Sequence, residues 1–197
     1  KQNLGIFDSG SFTVSYNSQR EERQTQGGQG NPFATISNQY ERTTVTGFSF
    51  FLDKHLPKRN NFTFGGDFYA ERLNSPAHTD NPVTGVSVVS RPRVPDEAKF
   101  DSGGLFIQNA WEAIPNRLRI TGALRYSAMS YRVREADSPI VNGRTLWRND
   151  SLRTGSFSGR IGGVVSVTDN FRLFVNFSRG FRYPSMTDLG TLGITGD

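Results

Sequence analysis

Phe171-Arg172-Leu173-Phe174-Val175-Asn176-Phe177-Ser178-Arg179-Gly180-Phe181-Arg182-Tyr183-Pro184-Ser185 reads as an alternating strand that runs into a proline-containing corner. Side chains of a strand alternate between faces, so Phe171, Leu173, Val175 and Phe177 share one face while Arg172, Asn176 and Ser178 share the other, with Phe174 the one exception. A strand that is apolar on one face and polar on the other fits a barrel wall between lipid and an aqueous lumen. The same alternation recurs along the whole chain.

Composition supports that reading. Only 35% of the 197 residues are hydrophobic, yet 16 Phe, 6 Tyr and 2 Trp are present, so the apolar content sits in aromatic residues rather than in the Leu and Ile of helical cores. Glycine, at 21, disfavours helices and suits crowded, bending strands. Without cysteine there is neither a disulfide framework nor a thiolate metal site. Apolar runs such as residues 48–52 are far too short for transmembrane helices, but barrel strands need no such runs because every second residue is polar. A net charge of +5 raises the question of nucleic acid, but the arginines are dispersed with no basic run, which argues against such a partner; they are expected to face water in the lumen and loops. An enzyme is not expected, since no nucleophile elbow occurs and Gly27-Gly28-Gln29-Gly30 lacks the lysine of a phosphate loop.

Seven strands are predicted, near residues 11–19, 39–52, 61–73, 102–113, 117–132, 155–167 and 171–178. Alternation fails at Phe50-Phe51, which predicts a bulge there. The connections alternate strictly between short and long. In an outer-membrane barrel the short ones, at 53–60, 114–116 and 168–170, face the periplasm, and the long ones, beginning near Arg20, Asn74, Val133 and Phe181, face the exterior. The segments 74–99 and 133–153 are expected to be mobile exterior loops. A soluble β-sandwich shows similar alternation. Against it stand the strand lengths, close to the roughly nine to eleven residues of a tilted membrane strand, and the placement of Trp111, Tyr126 and Phe171 near strand ends, where interfacial girdles lie. The expected fold is therefore all-β, an antiparallel up-and-down transmembrane β-barrel section of about seven strands.

A resemblance adds to this. Residues 104–112 (GLFIQNAWE) followed by 118–126 (LRITGALRY) resemble the mid-barrel hairpin of TonB-dependent outer-membrane receptors, and Gly65-Gly66-Asp67 looks like the family's Gly-x-Asp strand. The corner formed by Arg179, Gly180, Phe181, Arg182 and Pro184, continued by Asp188-Leu189, resembles the family's Arg-Gly-Phe-Arg-x-Pro motif. The likeness covers the last hundred residues or so well and the first hundred mainly in strand rhythm. It implies that residues 1–197 are part of a barrel of about 22 strands, without the plug domain that meets TonB. Seven strands alone would leave open edges that a bilayer does not tolerate.

By resemblance, the intact protein would lie in the cell outer membrane and import a scarce nutrient, an iron-siderophore chelate, cobalamin or haem, with energy relayed by the TonB complex through the plug. Its partners would be that complex, outer-membrane lipid and the ligand. No resident cofactor or metal is expected. Ligand contacts would come from polar and aromatic side chains of the upper lumen and long loops: Tyr69, Glu71, Arg125, Tyr131 and Arg182, all read as near outer strand ends. Haem would want an axial ligand, for which His78 in the longest outer loop is suitably placed and His55, in a periplasmic turn, is not. Arg182 reads either as a lumen guanidinium holding plug carboxylates or an anionic ligand, or simply as part of a strand stop near Pro184. A passive porin and a soluble binding sandwich remain as alternative readings.

Overall fold

Period-two patterning becomes seven long antiparallel strands in a single curled sheet. The computed structural model describes residues 2–190. In chain order the elements are β1 (Gln2–Leu4), β2 (Phe7–Gln26), β3 (Ile36–Leu56), β4 (Asn60–Asn74), β5 (Ala77–Asp80), β6 (Ser87–Val89), β7 (Lys99–Ile114), β8 (Leu118–Val133), β9 (Ile140–Val141), β10 (Arg144–Thr145), β11 (Asp150–Ser166), β12 (Arg172–Arg179) and α1 (Met186–Gly190). The wall runs β2-β3-β4-β7-β8-β11-β12, each strand bonded to the next in sequence order, with short β1 on the outside of β2. Among the described residues no second layer packs against it, and the only other sheet is the small β9-β10 ladder. The β-sandwich reading is therefore set aside.

The register assigns the two faces. Phe12, Phe48, Phe50 and Phe64 lie on the convex face and form a chain of ring contacts with centroids 5.7 to 6.3 Å apart; Tyr126 and Phe157 pair there at 4.9 Å. Leu105, Ile107, Leu124, Ile161, Leu173, Val175 and Phe177 share that face and are exposed. The concave face carries hydrogen-bonded polar groups: Asp53 accepts from Ser9 and Thr63, Asp67 accepts from Arg125, and Arg160 donates to Gln108. Exposed apolar side chains on the convex face and satisfied polar ones on the concave face are the arrangement of a wall between lipid and water.

Several expectations are corrected. The ladder passes Phe50 and Phe51 without interruption, Phe50 opposite Gly66 and Phe51 opposite Gly65, so the second phenylalanine points inward instead of marking a bulge. The irregularity lies at Ala113, between Glu112 and Ile114. β2 and β3, at 20 and 21 residues, run well beyond a bilayer, and the long loop expected at 20–37 shrinks to a turn at 27–35. Cross-strand hydrogen bonding extends the polar ends, where sequence alternation gives no sign.

The segments 74–99 and 133–153 are also folded. β5 pairs with the outer end of β3 and β6 pairs with β5, which enlarges the sheet above the wall. Residues 134–149 contain a 3-10 turn at Glu135–Asp137 and the β9-β10 ladder. Both segments bend over the outer end of the concave face. Val94, Ala98 and Trp147 there cover Leu73, Phe100, Met129, Tyr131 and Val133, which point inward from β4, β7 and β8. Buried hydrogen bonds fix the cover: the Ser75 hydroxyl donates to the Val94 carbonyl at 2.7 Å and the Trp147 indole N–H to the Arg134 carbonyl at 3.1 Å. This cluster is the main apolar core, and it sits inside the outer mouth.

Candidate functional site

β12 ends at Arg179, five residues before Pro184, so the strand stops earlier than the proline alone predicts. From Gly180 the chain leaves the sheet and crosses back over the concave face. Tyr183 packs on Phe100 with ring centroids 6.1 Å apart, Phe181 meets Tyr183 edge-on at 6.3 Å, and Met186 is buried in the cluster. Ser185 and Asp188 start α1 as a reciprocal cap. The Ser185 backbone N–H donates to the Asp188 carboxylate at 2.8 Å, and the Asp188 N–H donates to the Ser185 hydroxyl at 3.2 Å.

Between this crossing segment and the wall lies an open recess of about 500 Å³. Tyr69 and Glu71 of β4, Ser102 of β7 and Arg125 and Ser127 of β8 line the wall side; Phe181, Arg182, Tyr183 and Ser185 line the other. Arg125 is rigidly placed. Its two terminal nitrogens reach the two Asp67 oxygens at 2.7 and 2.9 Å, and Nε donates to the Ser127 hydroxyl at 2.8 Å. A bidentate fork of this kind fixes the guanidinium plane as well as its charge. The guanidinium lies over Gly104, where an added Cβ would stand 2.6 Å from Arg125 Nη2. Gly47 gives Tyr69 the same freedom, since a Cβ there would lie 2.7 Å from the Tyr69 ring.

Four of the six residues singled out in the sequence therefore meet: Tyr69, Glu71, Arg125 and Arg182. They arrive differently from the sequence reading. Arg125 is in the middle of β8 rather than near its end, and Arg182 comes from the crossing segment rather than from a strand face. Arg182 remains largely exposed, 3.6 Å from Asp188. Tyr131 is only 3% exposed, inside the apolar cluster, so it is not part of the recess. His78 lies on β5, outside the lumen, 3.6 Å from Asp80. Sequence reasoning missed Ser102, Ser127, Tyr183 and Met186. The first two carry the inward parity of β7 and β8 and were legible; the last two depend on the turn-back at Gly180.

The Asp188 carboxyl is held below the usual carboxylate range, chiefly by the Ser185 backbone N–H, with the Ser185 hydroxyl and the Arg182 charge adding to it. A folded-state pKa below the unfolded one means that the contribution is complete at neutral pH and is lost as pH falls through the folded value, below about 4. Hydrogen exchange of residues 185–189 is expected to lose protection over that acidic range. Asp188→Asn should show the unprotected level already at neutral pH. Unchanged protection in the variant would mean that the cap does not hold the segment.

Comparison with known proteins follows the geometry. The family described as TonB dependent receptor-like, beta-barrel matches residues 2–196. No curated protein sequence matches the chain. Among solved structures, one described as copper transporter OprC is similar with a TM-score of 0.72 and 17% identity; the match covers 97% of this chain and 30% of that one. This chain thus spans under a third of the length of that structure.

Proposed function

The chain belongs to the TonB-dependent receptor β-barrel family, and from that premise we propose that it forms part of the wall of an outer-membrane receptor that imports a scarce nutrient with energy relayed by TonB. The recess at the outer mouth supports this reading. It combines a locked guanidinium (Arg125), an exposed one (Arg182), phenols (Tyr69, Tyr183), hydroxyls (Ser102, Ser127) and one carboxylate (Glu71). Such a lining offers oriented donors to an anionic or hydroxyl-rich organic chelate entering from outside. The structural neighbour is named a copper transporter, and a metal brought to this wall as an organic chelate would present its chelating shell. An iron-siderophore chelate, cobalamin or haem each fits that description. TonB would be met through a plug domain filling the lumen. A passive porin would have no use for a recess closed on one side by a folded-back segment.

Arg182→Lys in the intact receptor tests the recess. Lysine keeps the charge but loses the two-pronged donor. Ligand affinity is expected to fall about tenfold, the equivalent of one good charge-assisted hydrogen bond. Uptake and affinity both equal to wild type would assign the corner a structural role only.

A further inference from the structure

The cover of the outer mouth holds a second recess, of about 360 Å³. It opens where the two folded segments, α1 and the outer ends of β8 and β11 come together, and it shares no lining residue with the lumen recess. Hydrogen bonds hold its frame: the Trp147 backbone N–H donates to the Ser138 hydroxyl at 3.1 Å and the Leu146 N–H to the Pro139 carbonyl at 3.2 Å. Arg91 and Arg148 line it and are exposed. Among the described residues neither has a carboxylate within 4 Å or a side-chain hydrogen bond. Asp150 is the one carboxylate of the lining, so the two guanidiniums leave the recess net positive and select an anionic group.

Tyr131 supplies the other end. It is 3% exposed, and no hydrogen bond engages its hydroxyl among the described residues. No completely buried side-chain oxygen or nitrogen lacks a partner among those residues, so the little of Tyr131 that stays accessible includes its oxygen. Tyr131 lines this recess, and its hydroxyl is therefore offered to whatever enters. Proteins satisfy the polar groups they bury, so a free hydroxyl at the floor of a cleft points to a polar atom of a guest. Between the exposed guanidiniums and this phenol the walls are apolar, formed by Pro95, Leu146, Trp147 and Leu189. A volume of about 360 Å³ is near the lower end for small-molecule pockets, too small for a bulky chelate and suited to a molecule of one ring.

We propose that this second recess binds a small aromatic acid that carries a hydroxyl at the end opposite its carboxylate. The carboxylate meets Arg91 and Arg148, the ring lies between the apolar walls, and the hydroxyl meets Tyr131. Occupancy also steadies the crossing segment. Leu189 of α1 lines this recess, while Met186, one turn earlier, lines the lumen recess, and the Leu189 N–H donates to the Ser185 carbonyl at 3.1 Å, which joins the two sides. A ligand that touches Leu189 favours the folded-back arrangement and so raises its population. The inference rests on the geometry of the cover and is independent of what the receptor imports.

The test is isothermal titration of the intact receptor in detergent with three probes: para-hydroxycinnamate, cinnamate and para-hydroxycinnamamide. The hydroxy acid is expected to bind at least about tenfold more tightly than the uncharged amide, and about threefold to tenfold more tightly than the acid without the hydroxyl. Arg91→Gln/Arg148→Gln should erase the first difference and Tyr131→Phe the second, while Arg182→Gln in the lumen recess should keep both. Arg91→Lys/Arg148→Lys, which keeps the charges, should retain most of the first difference; heat-modifiable migration checks that every variant is assembled. In wild type, para-hydroxycinnamate should slow hydrogen exchange of residues 185–189. Equal binding of acid and amide by wild type, or unchanged preferences in the glutamine and phenylalanine variants, would overturn the proposal. Loss of binding in Arg182→Gln alone would place the probe in the lumen recess and overturn it as well. Binding without slower exchange would refute the link to the crossing segment.

Discussion

Leu124→Arg in the intact receptor is expected to abolish heat-modifiable barrel in the outer membrane, while Thr121→Arg on the same strand leaves most of it in place. Leu124 is half exposed on the convex face, opposite Ile107 on one side and Gly159 on the other, within the apolar band. An arginine at that depth costs about 2–4 kcal/mol in a barrel wall, a large share of the stability of any single strand pair. Thr121 is three residues away and carries the opposite parity. It faces the concave side, opposite Ala110 and Gly162, where the new guanidinium meets water. The two variants place the same side chain on the same strand within one short stretch, and the face it enters is the main difference between them. Equal loss in both would mean that the assignment of faces is wrong, and with it the whole lipid-facing band.

That assignment was legible in the sequence wherever one face of a strand is apolar. Leu105, Ile107 and Trp111 against Gln108 and Glu112, or Phe157, Ile161 and Val165 against Ser156 and Ser158, show the period directly because lipid and water demand opposite side chains at alternate residues. Beyond the bilayer that demand ends. The outer halves of β2 and β3 are polar on both faces, so residues 20–26 looked like loop although they continue the ladder opposite residues 36–42. Phe50-Phe51 looked like a bulge because an inward phenylalanine breaks the pattern, yet the concave face of a wall need not be uniformly polar.

The recess was partly legible: Tyr69 and Glu71 on β4 and Arg125 on β8 share the inward parity of their strands. What the sequence did not show is that residues 180–190 turn back. No local periodicity announces a contact between Tyr183 and Phe100, more than eighty positions apart, and nothing local shows that Trp147 and Val94 cover Tyr131.

Phe100 is where these separate parts join, so its truncation is expected to have the largest effect on the site. It is 2% exposed, stands opposite Glu71 on β4 and Tyr131 on β8, and takes the Tyr183 ring on its inner side. Phe100→Ala removes a buried ring from the middle of the cluster, a change that costs about 3–5 kcal/mol in a packed core. The loss falls on the inward cover rather than on the lipid face, so barrel assembly should survive. Beside that ring, Met186 and Leu189 tie the crossing segment to the same cluster, while the Ser185-Asp188 cap and the Phe181-Tyr183 edge lie within the segment itself. Hydrogen exchange across 181–190 should therefore rise steeply, and with Arg182 no longer held over the recess, ligand affinity should fall at least about tenfold. Phe181→Ala, at the exposed end of the same segment, should do far less to exchange. Full protection of 181–190 in Phe100→Ala would show that the segment does not depend on the wall beneath it, and the recess would then be a property of the segment alone.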